Sequence, residues 1–93
     1  MNSEEHEKIN ILKILSDPSR YTIVKILMNS DGDVCVNEIA EHIKITPSAV
    51  SHQLAKLEKL SIVKPIRRGQ TVCYKIRKNR ASRLLREIIL VLQ

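Results

Sequence analysis

Apolar residues recur at helical spacing through the first sixty positions of the chain and then switch to alternation. The clearest helical stripe lies in ITPSAVSHQLAKLEKL, Ile45 to Leu60, where Val50, Leu54 and Leu57 share one face. Thr46 can cap this helix, and Pro47 suits its first position, where a missing N–H costs nothing. The opposite face carries Ser48, Ser51, His52 and Ala55, with Lys56 and Lys59 towards the C-terminal end. A helix that is greasy on one side and polar but unbulky on the other can be pressed against base edges. The major groove admits a helix only if its leading side chains are short.

The same pattern predicts the neighbouring elements. Glu4 to Ser16 reads as a first helix whose Ile9, Ile11, Leu12, Ile14 and Leu15 cover more than one face. Half of that surface can meet its own domain, and the rest needs another partner. Asp17 caps a second helix that starts at Pro18 and runs to about Asn29, with Tyr21, Val24, Leu27 and Met28 as its buried stripe. Ser30-Asp31-Gly32-Asp33 is a turn, and Val34-Cys35-Val36 is β-prone but long enough only for an edge-strand bridge. A third helix runs from Val36 or Asn37 to Ile43, with Ile39, Ala40 and Ile43 inward. The three-to-four-residue connection around Ile43 to Thr46 gives a helix-turn-helix.

Beyond Leu60, Ile62, Lys64 and Ile66 lead into Arg67-Arg68-Gly69-Gln70 and then Thr71 to Ile76. Two β-prone runs around a glycine-containing turn predict a hairpin, and Pro65 places its strand at a sheet edge. Val72, Tyr74 and Ile76 alternate inward, with Thr71, Cys73 and Lys75 on the other face. A basic hairpin after a helix-turn-helix is a wing. Asn79 caps a last helix towards Leu92, in which Leu84, Leu85 and the run Ile88 to Leu92 are apolar almost all round. Such a helix must be covered, and a symmetric dimer of first and last helices is the simplest cover. The expected fold is mainly α with a small β-hairpin. It is a winged helix-turn-helix of about five helices plus a two-stranded wing, in one domain over residues 1–93.

Composition narrows the partner. Tyr21 and Tyr74 are the only aromatic residues, so the core is aliphatic. Readers of RNA or single strands stack bases on aromatic platforms, which this chain lacks. The net charge of +6 favours a polyanion. Residues 1–60 hold seven Lys/Arg against nine Asp/Glu, whereas residues 61–93 hold nine against Glu87 alone. The basic residues interleave with Ile and Val, which fits a folded surface better than a solvated tail. The acidic start MNSEEHEK is unlike a signal peptide, and no apolar run approaches the ~18 residues of a membrane span. The expectation is a cytoplasmic protein with Cys35 and Cys73 reduced.

The stretches LKILSDPSRYTIVKIL, DVCVNEIAEHI, ITPSAVSHQLAKLEKLSIVKP and RRGQTVCYKI, in this order and spacing, resemble the ArsR/SmtB-type winged-helix repressors of bacteria and archaea. The resemblance covers most of the chain. It implies a homodimer that binds double-stranded DNA at an inverted-repeat operator and releases it to an inducer: a metal ion, arsenite, antimonite or, in some members, a thiol oxidant. Ser48, Ser51 and His52 match the family's base- and phosphate-contacting positions, flanked by Gln53 and Lys56. Arg67, Arg68 and Gln70 match the wing tip, and Thr46 and Ala49 complete the expected DNA-binding set.

Departures from the family are informative. Lys44 stands where the family often has Gly or Asn; if that position needs positive φ, it costs ~1 kcal/mol. The family's Cys-Val-Cys metal pair is reduced to Cys35, because Asn37 replaces the second cysteine. Where the family's other metal site uses Asp and His on the last helix, this chain reads Lys78-Asn79-Arg80, and the helix contains no histidine. His6 and His42 have no further ligand at metal spacing, beyond Glu38 one turn before His42. No metal site, no cofactor and no release by zinc are therefore expected. Cys35 and Cys73 read first as small packing residues, and second as a possible thiol sensor. In that second reading Cys35 opens a helix and Cys73 lies on the outward face of the wing beside Lys75, too far apart for a mutual disulfide.

No nucleophile–base pair, paired carboxylates or phosphate loop can be placed, so an enzyme is not expected. The alternative is a winged helix used as a protein-interaction module, its last helix docking a different partner. The cluster Arg67, Arg68, Lys75 and Arg77 argues against it.

Overall fold

Capping side chains set the frame. Asp17 Oδ2 accepts from the Arg20 N–H at 3.0 Å, Thr46 Oγ1 from Ala49 at 3.1 Å, and Asn79 Oδ1 from Ser82 at 3.0 Å. Each satisfies a donor that the first helical turn leaves unpaired. The computed structural model describes all 93 residues. Its elements are α1 (Ser3–Ser16), α2 (Pro18–Met28), β1 (Val34–Cys35), α3 (Val36–Ile43), α4 (Pro47–Lys59), β2 (Val63–Arg68), β3 (Thr71–Ile76) and α5 (Arg80–Leu92).

The α4 stripe is the centre of the core. Val50, Leu54 and Leu57 are fully buried against Ile23, Val24 and Leu27 of α2 and Ile39 and Ala40 of α3. Ile11 and Ile14 join from α1, Ile62 and Val63 from the start of the wing, and Leu85 and Ile89 from α5. Removing a large aliphatic side chain from water contributes roughly 1.5–3 kcal/mol, so this shared cluster holds every helix and the wing base together. The α2 stripe is wider than its periodicity suggests: Ile23 is fully buried while Tyr21 is only half-buried. The reason is that α1, α3, α4 and β3 all pack around α2.

Two left-handed residues steer the chain into and out of α4. Lys44, at φ 62° and ψ 44°, ends α3 with its N–H bonded to the Ala40 carbonyl at 2.8 Å. Ser61, at φ 62°, ends α4, and Ile62 N–H returns to the Leu57 carbonyl at 3.0 Å. The Asn79 amide donates to the Ser61 carbonyl at 2.7 Å, tying the α5 cap to this reversal.

The sheet has the order β1-β3-β2, all antiparallel. Pro65 lies on the edge strand β2, where its missing donor is harmless. Arg68 pairs with Thr71 around a two-residue turn, and Gly69 supplies the positive φ, +64°, that such turns demand. The hairpin is thus two-stranded as read, and β1 adds a third strand to it.

That third strand overturns the reading of the cysteines. Cys35 and Cys73 are direct partners across β1 and β3, and their sulfurs are bonded, so neither is a free thiol. They are neither reduced nor far apart. Cys73 does lie on the face opposite Tyr74, yet it is fully buried, flanked in its row by Cys35 and Ile66. Alternation gives the face of a strand residue; it does not reveal which strand arrives beside it from 38 residues away.

At the other end, α1 packs on α5, and Arg80 pairs with Glu7 at 3.2 Å. Leu85 and Ile89 are buried inside the chain itself, whereas Leu12, Leu90, Val91 and Leu92 remain exposed.

Candidate nucleic-acid interface

Because one face of α4 is spent on the core, the other is presented as a unit. Ser48, Ser51, His52 and Lys56 are exposed along it. Thr46 is occupied as the cap, and Ala49 is half-buried at the start of the helix. These short side chains allow the helix backbone a close approach to a flat or grooved surface.

Gln53 behaves differently from its neighbours. It is half-buried, its Oε1 accepts from Arg20 Nη1 at 3.3 Å, and its Nε2 donates to Asp17 Oδ2 at 3.4 Å. Arg20 also donates to the Lys13 carbonyl at 3.0 Å. This network locks α4 to the start of α2 and the end of α1. Gln53 therefore positions the exposed face. Sequence reasoning missed Arg20 in this role. Its place three residues after the Asp17 cap was visible, but its partner 33 residues away was not.

The wing residues also divide. Arg67 and Gln70 are exposed beside the turn. Arg68 is folded back onto Asp33, with hydrogen bonds of 2.5 and 2.9 Å to its two carboxylate oxygens. The Arg68 hydrogen bonds hold the Asp33 carboxyl below the usual carboxylate range, and Asp33 raises Arg68 in return. Burial pushes the Tyr74 hydroxyl up, with a smaller contribution from Glu58.

Much of the basic excess lies elsewhere. Lys75, Arg77, Lys78, Arg83 and Arg86 line a cleft of about 470 Å³ with Asp31, at the Ile76 end of β3 and away from the Gly69–Gln70 turn. The charge split is therefore only partly a property of the wing tip.

One group of metal-ligating atoms is brought together. The Asp33, Cys35 and Cys73 donor atoms lie within 4.8 Å of one another. With the sulfurs joined they offer no thiolate, so the group suits a soft metal only after reduction. His6 and His42 are exposed and stand outside this group.

Comparison with known proteins bears on the arrangement. The model of the "bacterial regulatory protein, arsR family" matches residues 17–64, from the α2 cap into β2. The transcriptional repressor SdpR of Bacillus subtilis is 34% identical over 67 residues, which is 72% of this chain and 72% of SdpR. A transcriptional repressor SmtB homologue of Synechocystis is 38% identical over 74 residues, 80% of this chain but 54% of that protein. In three dimensions the crystal structure of the transcriptional repressor BigR from Xylella fastidiosa superposes with a TM-score of 0.80 at 28% identity, covering 95% of this chain and 85% of BigR.

Proposed function

The chain belongs to the arsR family of bacterial regulatory proteins, and from that premise we propose a cytoplasmic, homodimeric repressor that reads an inverted-repeat operator in double-stranded DNA and yields it to an inducer. It is a winged-helix transcriptional regulator and not an enzyme. Ser48, Ser51 and His52 meet base edges in the major groove, while Lys56, Arg67 and Gln70 hold the phosphate backbone. Thr46, Ala49 and Gln53 set the helix at its angle.

The observation that carries this reading is the two-faced α4. It is wholly buried along Val50, Leu54 and Leu57, and open along Ser48, Ser51 and His52. That all helices share one core supports a single domain over residues 1–93. Leu12, Leu84 and Ile88 line an apolar hollow of about 250 Å³ between α1 and α5, and Ile88 also lines a second one with Val91 and Leu92; this supports pairing with a second copy there. No helix is long and apolar enough to cross a membrane.

The test is selection of an operator from random DNA, then affinity of variants on operator and random duplex across salt concentrations. His52→Ala should cost about 1–3 kcal/mol on the operator and little on random DNA. Arg67→Ala should weaken both and reduce the salt slope by about one. Equal loss on both duplexes for His52→Ala would show that it does not read bases.

A further inference from the structure

We infer that the cleft between the end of β3 and the first half of α5 is a binding site for a compact oligophosphate, a chain of two or three phosphates, separate from the DNA-reading surface.

Its walls come from three parts of the chain. Lys75 stands at the end of β3, Arg77 and Lys78 lie in the link to α5, and Arg83 and Arg86 share one face of α5 at a spacing of three. The turn after α2 completes the hollow of about 470 Å³ with Ser30, Asp31 and Gly32. Five cations therefore surround one cleft against a single carboxylate. The ion pairs of the structure are Arg68–Asp33 and Arg80–Glu7, so none of the five has an acidic partner. The wing's Arg68 is neutralised by an acid; these five are left to repel one another. Such repulsion raises the free energy of the empty cleft, and a polyanion seated in it removes that cost.

The lining selects the ligand. Three of the five cations are arginines, whose planar forks match two oxygens of one phosphate. The cations are spread over a strand end, a link and a helix, so a single tetrahedral anion cannot satisfy them together. A short chain of phosphates can. The volume lies within the range of small-ligand sites, roughly 300–1,000 Å³. The apolar lining is Leu27 and Ile76, with no aromatic ring, so a nucleobase finds no stacking platform and the phosphates alone supply the binding.

Position separates this cleft from the duplex. α2 meets Gln53 of the recognition helix at its start, through Asp17 and Arg20, whereas the cleft takes the other end of α2, at Leu27. Seven residues of helix set these two points about 10 Å apart. On β3 the cleft begins at Lys75, and Thr71 beside the wing turn lies four residues back, roughly 13 Å along an extended strand. No residue of α3, α4 or the wing turn lines the cleft. A duplex seated on α4 and the wing tip leaves it open.

The experiment is calorimetric titration of the full chain with inorganic triphosphate, and with citrate and sulfate at matched ionic strength. One variant pair joins Arg83→Gln to Arg86→Gln, and another joins Arg77→Gln to Lys78→Gln. A control pair, Lys59→Gln with Lys64→Gln, removes the same charge at exposed positions outside the cleft. Melting temperature, sedimentation and salt-dependent affinity for random duplex are read for each protein. The parent should bind triphosphate more tightly than citrate and far more tightly than sulfate. Its melting temperature should rise by roughly 10 °C at a hundredfold excess over Kd. Each cleft pair should lose about tenfold or more in triphosphate affinity, with folding and duplex salt slope unchanged, and the control pair should bind triphosphate as the parent does. Should a pair fail to fold, Arg86→Gln alone carries the test with a several-fold loss. Triphosphate bound no better than citrate or sulfate, or weakened equally by the control pair, would reduce the site to general charge attraction and overturn the inference. A duplex salt slope that falls by about one per arginine lost would assign the cleft to the DNA backbone, and loss of self-association would assign it to the subunit contact. Either result would overturn the inference as well.

Discussion

Lys44→Gly should stabilise the protein, although it deletes a side chain from the helix-turn-helix itself. Lys44 sits at φ 62° and ψ 44°, where an L-residue's Cβ crowds its own carbonyl at a cost of roughly 1–2 kcal/mol. Glycine escapes that cost but gives up about 0.5–1 kcal/mol in backbone freedom on folding. Nothing else is lost. The Lys44 side chain is exposed, and the two ion pairs of the structure are Arg68–Asp33 and Arg80–Glu7. The backbone bond from residue 44 to the Ala40 carbonyl is available to glycine as well. The balance is about 0.5–1 kcal/mol in favour of the variant, or roughly 2–8 °C in melting temperature for a domain of this size. Lys44→Val runs the same argument backwards, because a β-branched residue is the least tolerant of this region; it should melt below the parent. Thermal unfolding followed by far-UV circular dichroism measures both, with His52→Ala as a control that leaves the backbone alone. A Lys44→Gly protein that melts below the parent, or a Lys44→Val protein that matches it, would refute the reasoning from backbone geometry.

Two further outcomes follow from burial. Leu54→Ala, at a fully buried position of α4, should cost about 2–5 kcal/mol by urea denaturation; a loss below about 1 kcal/mol would mean that the core closes around the gap. Leu12→Glu combined with Val91→Glu should give folded monomers by analytical ultracentrifugation, since both side chains are exposed in the protomer, whereas Leu85→Asp should unfold it. A parent chain that sediments as a monomer at micromolar concentration would remove the basis for the dimer.

What could be read from the sequence was local. Asp17, Thr46 and Asn79 announce their helices because a cap acts over three residues, and all three make the bonds foreseen. Alternation and Gly69 define the hairpin for the same reason. The left-handed Lys44 was legible only as a departure from a family pattern, and Ser61, equally left-handed, carried no such sign. The cysteine pair, the Asp33–Arg68 ion pair and the Arg20–Gln53 bond join residues more than thirty positions apart. They depend on which elements meet, and no periodicity encodes that. Leu85 and Ile89 illustrate the same limit: their apolar character was plain, but whether they meet their own core or a second copy is decided by how α5 lies on α1.

The separation of the two faces of α4 has an evolutionary consequence. Val50, Leu54 and Leu57 carry the folding energy, and none of the exposed residues touches that account. Substitutions at Ser48, Ser51 or His52 are surface changes, typically within ±0.5 kcal/mol of stability. Under the proposed division of labour, a gene duplicate of this protein would therefore drift to a new operator through two or three substitutions without passing through an unfolded intermediate. Gln53, by contrast, is fixed by its partners Arg20 and Asp17, so it would resist that drift. Paralogues descended from this chain should diverge first at 48, 51 and 52, and only later, if at all, at 53.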